Sequence, residues 1–448
     1  MDKYSASDFL SRFFIRLNES GIKYCVLKNY DQLPLYTSND VDMWIQDGFQ
    51  AQFRDILLSV GQDDGWEMIV HIPRLKYKGE GNYFFVNEDM SEIVHIDLWS
   101  YLNRRGVRYL NDVIFKDNLS LHENGFYTLS PGLEASILLL KDLIFQGKVL
   151  EKYREKITSL VHKDPIVFSK SVKATFNGSI SSFLIDAVTD ARWNELEKSY
   201  LRLRRDLFKK ILFECPLSYC LDTWSYLVDR SKKYLFPKTG IFLVLLGPDG
   251  SGKSTIAENL MNSEVIKKLF IKKSYFHSRF QFLPPLRKYL PFSKKTQIVQ
   301  KPENYQNRTY GALRAMVYPI YYGMSYFLGH PLLWKEKACA GLVIFDRYFY
   351  DFLIQREVMR CPKWIIHWIS KLIPKPNIII FLQTKPEVVY KRKQELTIEE
   401  IERQNKLCKE FTVSFPGAVS VDASSSVEEI VDQVKKIIIE KIKEKQKI

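Results

Sequence analysis

The sequence lacks the long apolar runs that a membrane-spanning helix requires, because no uninterrupted run approaches about 18 residues. The first residues, MDKYSASDFLSRFF, are also too charged for the apolar core of a signal peptide. Both absences lead us to expect a cytoplasmic protein. The apolar, aromatic stretch 317–333 favours a helix packed in a core, and peripheral contact with a membrane is the less favoured alternative.

Cysteine is scarce and scattered, and the excess of one charge is small. The six cysteines form no C-x-x-C pair and have no histidine at metal-ligand spacing, so the sequence indicates neither a disulfide framework nor a zinc site. The chain has 66 Lys and Arg against 52 Asp and Glu, a net charge of +14 over 448 residues. Such an excess favours phosphate-bearing ligands but is too dilute to indicate a nucleic-acid partner, so we expect none.

The composition that is present, 46% hydrophobic and 26% charged residues, is typical of folded domains. Short apolar runs mixed with helical stretches predict an α+β domain at 1–160, and helical periodicity without strand-like alternation predicts a helical connector at 161–237. Residues 238–448 alternate strands with helices. This alternation predicts an α/β domain built on a parallel sheet.

The clearest motif follows the predicted strand 241–246 and precedes a predicted helix. It reads GPDGSGKS and fits G-x-x-x-x-G-K-[ST], a loop in which glycines let backbone N–H groups converge on phosphates. Lys253 would neutralise the β and γ phosphate oxygens, and Ser254 would bind Mg²⁺. The predicted nucleotide-binding residues are Gly247, Asp249, Gly250, Ser251, Gly252, Lys253, Ser254 and Thr255.

A second acidic element ends the apolar strand Leu342–Phe345 with Asp346, Arg347 and Tyr348. A carboxylate at the carboxyl end of a parallel strand lies on the ligand side of the sheet, where Asp346 could hold Mg²⁺ through water or accept a proton from the acceptor. The guanine-reading motif N-K-x-D is missing and no D-x-x-G switch follows the loop, which favours a kinase that uses ATP with Mg²⁺ over a GTPase.

The motif GPDGSGKST, the later DRY and a Pro-Glu-led basic helix resemble the thymidylate kinase family over roughly residues 240–425. The resemblance implies that Asp249 contacts the acceptor and that Asp346 and Arg347 work at the transferred phosphoryl group. It also implies a lid that supplies further cations. Because the variable loop positions contain no arginine, we expect Arg392 and Arg403 to provide this charge, with Arg392 among the catalytic residues.

Two departures from that family concern the acceptor. The Arg-Glu-Pro turn expected after the second strand is replaced by a segment that contains His277 and Arg279. After DRY, Asp351 stands where a serine is expected, and Gln355 falls one residue early. We therefore predict that thymidylate is a poor acceptor, and that Asp249, His277, Arg279 and Asp351 bind the acceptor.

The first domain contains Asp40, Asp42 and Asp97, the first two at strand spacing and the third on another predicted strand. Residues i and i+2 of a strand share one face, so three carboxylates could hold Mg²⁺ ions for nucleotidyl transfer. This pattern resembles the polymerase-β-type nucleotidyltransferases over about residues 5–140. The Gly-Ser turn of that family is replaced by Lys28 and Asn29, which bears on activity more than on fold.

The sequence thus predicts ATP- and Mg²⁺-dependent phosphoryl transfer to a small molecule resembling a nucleoside monophosphate or a sugar. Two alternatives stay open for the first domain. It adds a nucleotidyl group in a bifunctional enzyme, or it is a catalytically dead binding module. A homodimer also stays open.

Overall fold

The computed structural model describes residues 5–37, 40–74, 80–104, 107–108, 110, 113–280, 282–284 and 311–447. The chain divides into two compact units, Met1–Ser231 and Lys232–Ile448. Each unit has its own sheet and its own apolar core.

The first unit contains a mixed seven-stranded sheet in the order β3-β4-β5-β2-β1-β9-β8. Strands β2 and β5, in the middle of this sheet, are parallel, and Asp42 of β2 lies opposite Asp97 of β5. A separate two-stranded ribbon is formed by β6 and β7. The strands are β1 (Tyr24–Val26), β2 (Val41–Ile45), β3 (Trp66–Pro73), β4 (Gly81–Asn87), β5 (Ile93–Trp99), β6 (Asn103–Arg104), β7 (Val107–Arg108), β8 (Leu119–Leu121) and β9 (Tyr127–Leu129).

Helices cover this sheet and extend beyond it. Apolar residues of α1 and α2, such as Phe13 and Phe53, pack in one core with residues of the strands, such as Tyr83 of β4. The helices are α1 (Ala6–Glu19), α2 (Gln50–Asp64), α3 (Val113–Lys116), α4 (Pro131–Gln146), α5 (Glu151–Lys163), α6 (Pro165–Thr175), α7 (Gly178–Thr189), α8 (Trp193–Lys198), α9 (Tyr200–Glu214) and α10 (Pro216–Leu235).

The segment predicted as a connector is helical, and its helices share a core with α4. Phe168, Leu184 and Leu203 from this segment are buried with Leu139 and Leu143 of α4. Asp164 caps α6 by accepting a hydrogen bond from the Val167 N–H, and Pro165 occupies the first turn, where its missing N–H costs nothing. The domain boundaries at 160 and 237 stay predictions.

The second unit is built on a five-stranded sheet in the order β11-β12-β10-β13-β14, and every neighbouring pair is parallel. The predicted α/β architecture with a parallel sheet is confirmed for this unit. The central strands are fully buried apolar runs, as expected when helices cover both faces of a parallel sheet. The strands are β10 (Ile241–Leu246), β11 (Lys272–His277), β12 (Gly341–Asp346), β13 (Ile378–Gln383) and β14 (Ala418–Asp422).

Eight α-helices of the second unit lie in the described residues. Two short 3-10 helices, Phe349–Leu353 and Arg356–Val358, follow β12. The α-helices are α11 (Lys253–Asn262), α12 (Glu264–Leu269), α13 (Ala312–Leu328), α14 (His330–Ala338), α15 (Lys363–Leu372), α16 (Pro386–Arg392), α17 (Ile398–Ser414) and α18 (Val427–Lys447). Among all helices that the structure describes, none combines the length and the apolarity needed to cross a membrane.

Candidate functional site

The glycine-rich loop lies between β10 and α11, as the sequence predicted. Gly250 and Gly252 have φ angles of 89° and 92°, a left-handed conformation that glycine adopts without a Cβ penalty. A Cβ on Gly250 would also lie 3.1 Å from the Cβ of Lys393. The loop therefore needs glycine here, and it leads into the first N–H groups of α11, which have no carbonyl partner within their own helix.

Lys253 is buried, with 5% of its surface exposed. Its Nζ donates hydrogen bonds to the carbonyls of Gly247, at 3.0 Å, and Pro248, at 2.9 Å. Burial lowers the pKa of Lys253, while the nearby carboxylate of Asp346 acts in the opposite direction. The ammonium is thus held inside the loop, close to where phosphate oxygens would lie.

Asp346, at the carboxyl end of β12, is the centre of the hydrogen-bond network. Its Oδ2 accepts hydrogen bonds from the hydroxyls of Ser254, at 2.7 Å, and Tyr275, at 3.0 Å. His277 Nδ1 lies 3.6 Å from the same oxygen, on a side chain that is largely exposed. The other oxygen, Oδ1, is buried without a hydrogen-bond partner.

Arg347 links the glycine-rich loop to Asp351 in the segment that follows β12. Its guanidinium donates to Asp249 and lies 3.5 Å from Asp351 Oδ2. The residue has a φ of 70°, which is uncommon for a side chain with a Cβ, and its N–H donates to the Leu245 carbonyl at 3.0 Å. A strained backbone held by three contacts is often found at functional positions.

The positive charge of Arg347 opposes the effect of burial on the pKa values of Asp249 and Asp351. Burial alone would raise the pKa of Asp249, but the charge and hydrogen bond of Arg347 outweigh it, so the pKa is lowered. Burial raises the pKa of Asp351 even though Arg347 acts against it. The two carboxyls therefore differ in proton affinity, and Asp351 is the better suited of the two to hold a proton.

The predicted acceptor residues lie on different elements around this network. The Arg279 guanidinium stacks over the ring of Tyr322, 4.1 Å from its centroid. Gln355 donates to Asp351 at 2.6 Å. This contact gives the displaced glutamine a role in fixing Asp351.

The two predicted lid arginines differ in their surroundings. Arg403 of α17 is held by the Glu400 carboxylate, through Nε at 2.8 Å and Nη2 at 2.6 Å, and by the Ile354 carbonyl at 2.8 Å. Arg392 is exposed at the end of α16. Of the remaining loop residues, Ser251 is buried with an unpartnered hydroxyl and Thr255 is exposed.

Sequence reasoning missed two polar residues of this region. Tyr275 faces Asp346 from β11, and burial raises the pKa of its hydroxyl. Thr384, just after β13, is buried with an unpartnered hydroxyl at the same edge of the sheet. Its position at the carboxyl end of a parallel strand is the signal that could have identified it.

A second candidate site lies in the first unit. Asp40, directly before β2, Asp42 in β2 and Asp97 in β5 place one carboxylate oxygen each within 4.8 Å of one another. The parallel pairing of β2 with β5 puts Asp42 opposite Asp97 and explains this convergence. Three carboxylate oxygens are a donor set that suits Mg²⁺ or Ca²⁺.

Two cations of the chain itself face these three carboxylates. Lys28 Nζ lies 2.7 Å from Asp42, and Arg74 Nη2 lies 2.9 Å from Asp97. Arg74 is further fixed by the Leu98 carbonyl at 2.9 Å and by the ring of Trp99. Lys28 comes from the segment where the Gly-Ser turn of the nucleotidyltransferases was expected.

Burial raises the pKa of Asp97 to about 7, with Arg74 opposing this shift and the charges of Asp42 and Asp40 adding to it. Burial raises the pKa of Asp42 as well. Acids that repel one another and are poorly solvated bind a proton or a metal ion more readily. The cluster therefore has the electrostatics of a cation site that Lys28 and Arg74 neutralise in part.

Comparisons with known proteins bear on the kinase prediction. No family model matches the chain. The chain is similar to a probable thymidylate kinase from Staphylothermus marinus, with 26% identity over 212 residues, covering 45% of this chain and 96% of the relative. This similarity supports a nucleotide kinase-like region within the chain.

A solved structure of deoxyadenosine kinase from M. mycoides, with the products dCMP and a flexible dCDP bound, is also similar. It has 18% sequence identity, covers 43% of this chain and 96% of that chain, and has a TM-score of 0.29. A TM-score this low carries no argument about the present chain. The nucleotidyltransferase-like prediction for the first domain finds no support in either similarity.

Proposed function

We propose that the second unit is an ATP- and Mg²⁺-dependent kinase that transfers a phosphoryl group to a small molecule. The convergence of Ser254 with the buried Lys253 and Asp346 at the carboxyl edge of a parallel sheet carries the proposal. This arrangement joins a glycine-rich loop, a cation for the phosphates and a carboxylate next to a hydroxyl. The similarity to a probable thymidylate kinase supports the same class of reaction.

The residues present fit Mg²⁺ bound to a nucleotide. Asp346 Oδ1 is buried without a partner, and the Ser254 hydroxyl lies beside the other oxygen of the same carboxylate. These two oxygens would hold the ion, directly or through water. The ion, when bound, would neutralise charge on the β and γ phosphates.

The chain's own residues would orient the transfer. Lys253 would exchange the loop carbonyls for phosphate oxygens, which are stronger acceptors for an ammonium. Arg347, held by Asp249 and close to Asp351, would face the transferred group and the acceptor together. Arg392, exposed at the end of α16, has more freedom to move toward the phosphates than Arg403, which Glu400 holds.

Assays of phosphoryl transfer from labelled ATP test this proposal. The purified chain is incubated with Mg²⁺, labelled ATP and panels of nucleoside monophosphates and sugars. We expect saturable, Mg²⁺-dependent labelling of one acceptor class. A chain that labels none of these compounds, and does not bind ATP, would contradict the proposal.

The acceptor site favours a hydroxyl-rich or anionic molecule over thymidylate. We propose that Asp249, His277, Arg279 and Asp351 bind this acceptor. A cation, an imidazole and two carboxylates offer donors and acceptors to hydroxyls and to a phosphate. They do not supply the fixed amide pattern that distinguishes a pyrimidine base.

Arg279→Ala is expected to raise the acceptor's KM by about tenfold or more while changing the KM for ATP little, because bonds from a charged donor are worth about 1.5–3 kcal/mol. Arg314→Ala is the matched control, since Arg314 also stacks on a tyrosine, Tyr318. In the same assay, thymidine monophosphate should be converted poorly or not at all. Efficient, saturable formation of the diphosphate would show that thymidylate is the acceptor.

For the first unit, we propose a metal-dependent nucleotidyltransferase-like site. The convergence of Asp40, Asp42 and Asp97 favours this function. The ion pairs with Lys28 and Arg74 favour the alternative, in which the unit binds a ligand without catalysis. A labelled-nucleotide transfer assay with the sugars and metabolites of the kinase screen distinguishes the two.

A Mn²⁺ titration of the nucleotide-free protein should detect this site. We expect Asp42→Asn to weaken Mn²⁺ binding by about tenfold or more, because it removes one of three charged ligands. Since the pKa of Asp97 is about 7, protons compete with the metal below that value, and binding should weaken as the pH falls from 8 to 6. Electron paramagnetic resonance of free Mn²⁺ measures both effects.

Two control variants each remove a carboxylate outside the cluster. Asp31→Asn changes an exposed residue of the same unit, and Asp346→Asn changes the central carboxylate of the candidate site in the second unit. Both should leave this Mn²⁺ binding unchanged. Equal Mn²⁺ affinity in Asp42→Asn and the unmutated chain would mean that the three carboxylates are structural.

A further inference from the structure

One side of α13 is apolar where solvent-facing helices are usually polar. Leu313, Val317, Ile320, Met324 and Phe327 recur every three or four residues and are all exposed. Polar groups point the other way. Ser325 is buried and donates to the Phe280 carbonyl at 2.7 Å, and Tyr326 donates to the Ser278 carbonyl.

The neighbouring helix α15 repeats this pattern with tryptophan. Trp364, Trp368 and Leu372 lie four residues apart along one exposed side, and the two tryptophans are 70% and 60% exposed. The opposite side, with Ile366 and Ile369, is buried in the core. Isolated exposed apolar residues are ordinary, but two regular rows on neighbouring helices indicate an interaction surface.

The two rows run beside the contact between the helices. Gly323 of α13 approaches Ile369 so closely that a Cβ at position 323 would lie 2.5 Å from the Ile369 side chain. Met324 and Trp368 are the sequence neighbours of these two residues. The exposed sides of α13 and α15 are called the apolar–basic face below.

The charge on this face has one sign. Residues 311–335 and 359–376 contain no Asp or Glu. Arg360, Lys363, Lys371 and Lys375 are exposed, and in the described part of the chain no carboxylate pairs with any of them. A second copy of this face would therefore meet like charge in a symmetric contact, which disfavours self-association through it.

We propose that the apolar–basic face docks on an anionic lipid membrane. Tryptophan is enriched at the boundary between lipid tails and headgroups, and a helix with apolar and basic sides lies along that boundary. Lysines near an anionic surface contribute about 1 kcal/mol each, roughly a fivefold gain in affinity per residue. The contact is peripheral, in keeping with the absence of a membrane-spanning helix among the described residues.

Sedimentation with lipid vesicles tests the proposal on the full chain. We expect binding to vesicles of phosphatidylcholine mixed with phosphatidylglycerol, weak binding to phosphatidylcholine alone, and release by added salt. The double variant Trp364→Ser/Trp368→Ser should lower vesicle affinity by about tenfold or more. Leu121→Ser/Ile166→Ser, which changes two exposed apolar residues on separate elements of the first unit, 64% and 79% exposed, is the control and should bind as the unmutated chain does.

Charge reversal separates the basic contribution from the apolar one. Lys363→Glu/Lys371→Glu should lower affinity for the anionic vesicles by about twentyfold or more, because each of the two lysines contributes roughly a fivefold gain in affinity. Lys409→Glu/Lys436→Glu makes the same change on exposed sides of α17 and α18 and should have little effect. All four variants should keep kinase turnover, since none changes a residue of the candidate site.

Three outcomes would overturn the proposal. The unmutated chain does not bind the anionic vesicles, or the Trp364/Trp368 and Lys363/Lys371 variants bind as tightly as their controls. In the third, light scattering shows a dimer that the Trp364→Ser/Trp368→Ser variant dissociates, and a second copy of the chain then occupies the face.

Discussion

Lys253→Ala is expected to lower kinase turnover by about 10² to 10³-fold, the loss seen when one group that stabilises developing charge is removed. The ammonium is held by two loop carbonyls at 3.0 and 2.9 Å, so it is already positioned before the nucleotide binds. Turnover is measured with labelled ATP and the acceptor that the screen identifies. Turnover within twofold of the unmutated chain would rule out the proposed role of the loop.

The structural cost of this substitution has two opposing parts. Removing Lys253 takes the ammonium donor from the Gly247 carbonyl, a cost of about 1–3 kcal/mol, while the Pro248 carbonyl still accepts from the Ser251 N–H at 3.2 Å. It also removes a buried cation, whose pKa is lowered by that burial. We expect a small net change in the free energy of unfolding, and circular dichroism during heating checks it.

Lys273→Ala is the matched control for Lys253→Ala. Lys273 also donates to a backbone carbonyl, that of Met261 at 3.2 Å, but it lies outside the loop. It should therefore show a comparable change in stability and nearly normal turnover. A similar loss of turnover in both variants would point to a structural effect of lysine removal.

Local patterns in the sequence were sufficient to locate the glycine-rich loop. The run Ile241–Leu246 has only apolar residues, and a strand with those bounds is present. The glycines, Lys253 and Ser254 follow at fixed spacing, so no long-range information was required to place them between strand and helix. The helix predicted after the loop is present and begins at Lys253.

Side-chain pairs across distant segments could not be predicted in the same way. Arg347 and Asp249 are separated by 98 residues, and Arg74 and Asp97 by 23 residues, in each case on different elements. Their contacts depend on where loops place side chains after the sheet has formed. The sequence therefore identified the carboxylates of both candidate sites and Arg347, but not the pairing of Arg347 with Asp249 or the approach of Arg74 to Asp97.

The helical segment after residue 160 shows the same limit. Its periodicity predicted helices, and helices are present from α6 through α10. Composition alone did not reveal that Phe168, Leu184 and Leu203 are buried with residues of α4. Helical periodicity shows which side of a helix is apolar, but it does not show which neighbour covers that side.

Asp346→Asn is expected to lower turnover by about a hundredfold or more, because a bound metal ion stabilises transferred charge by several kcal/mol. Asparagine preserves the size of the side chain, and its amide oxygen can accept the hydrogen bonds of Ser254 and Tyr275. What it loses is the negative charge and the buried Oδ1, the atom without a partner. The stability of the unit should change less than its activity.

The metal dependence of Asp346→Asn distinguishes a magnesium ligand from a structural carboxylate. If Asp346 helps to hold the ion, the Mg²⁺ concentration for half-maximal turnover should rise by about tenfold or more, and Mn²⁺ should bind the ATP complex more weakly. Asp422→Asn is the control, since Asp422 also ends a strand of this sheet but is exposed and bonded to Ser424. An unchanged Mg²⁺ requirement in Asp346→Asn, with lower turnover, would mean that Asp346 acts by positioning Ser254 and Tyr275 and not by binding the ion.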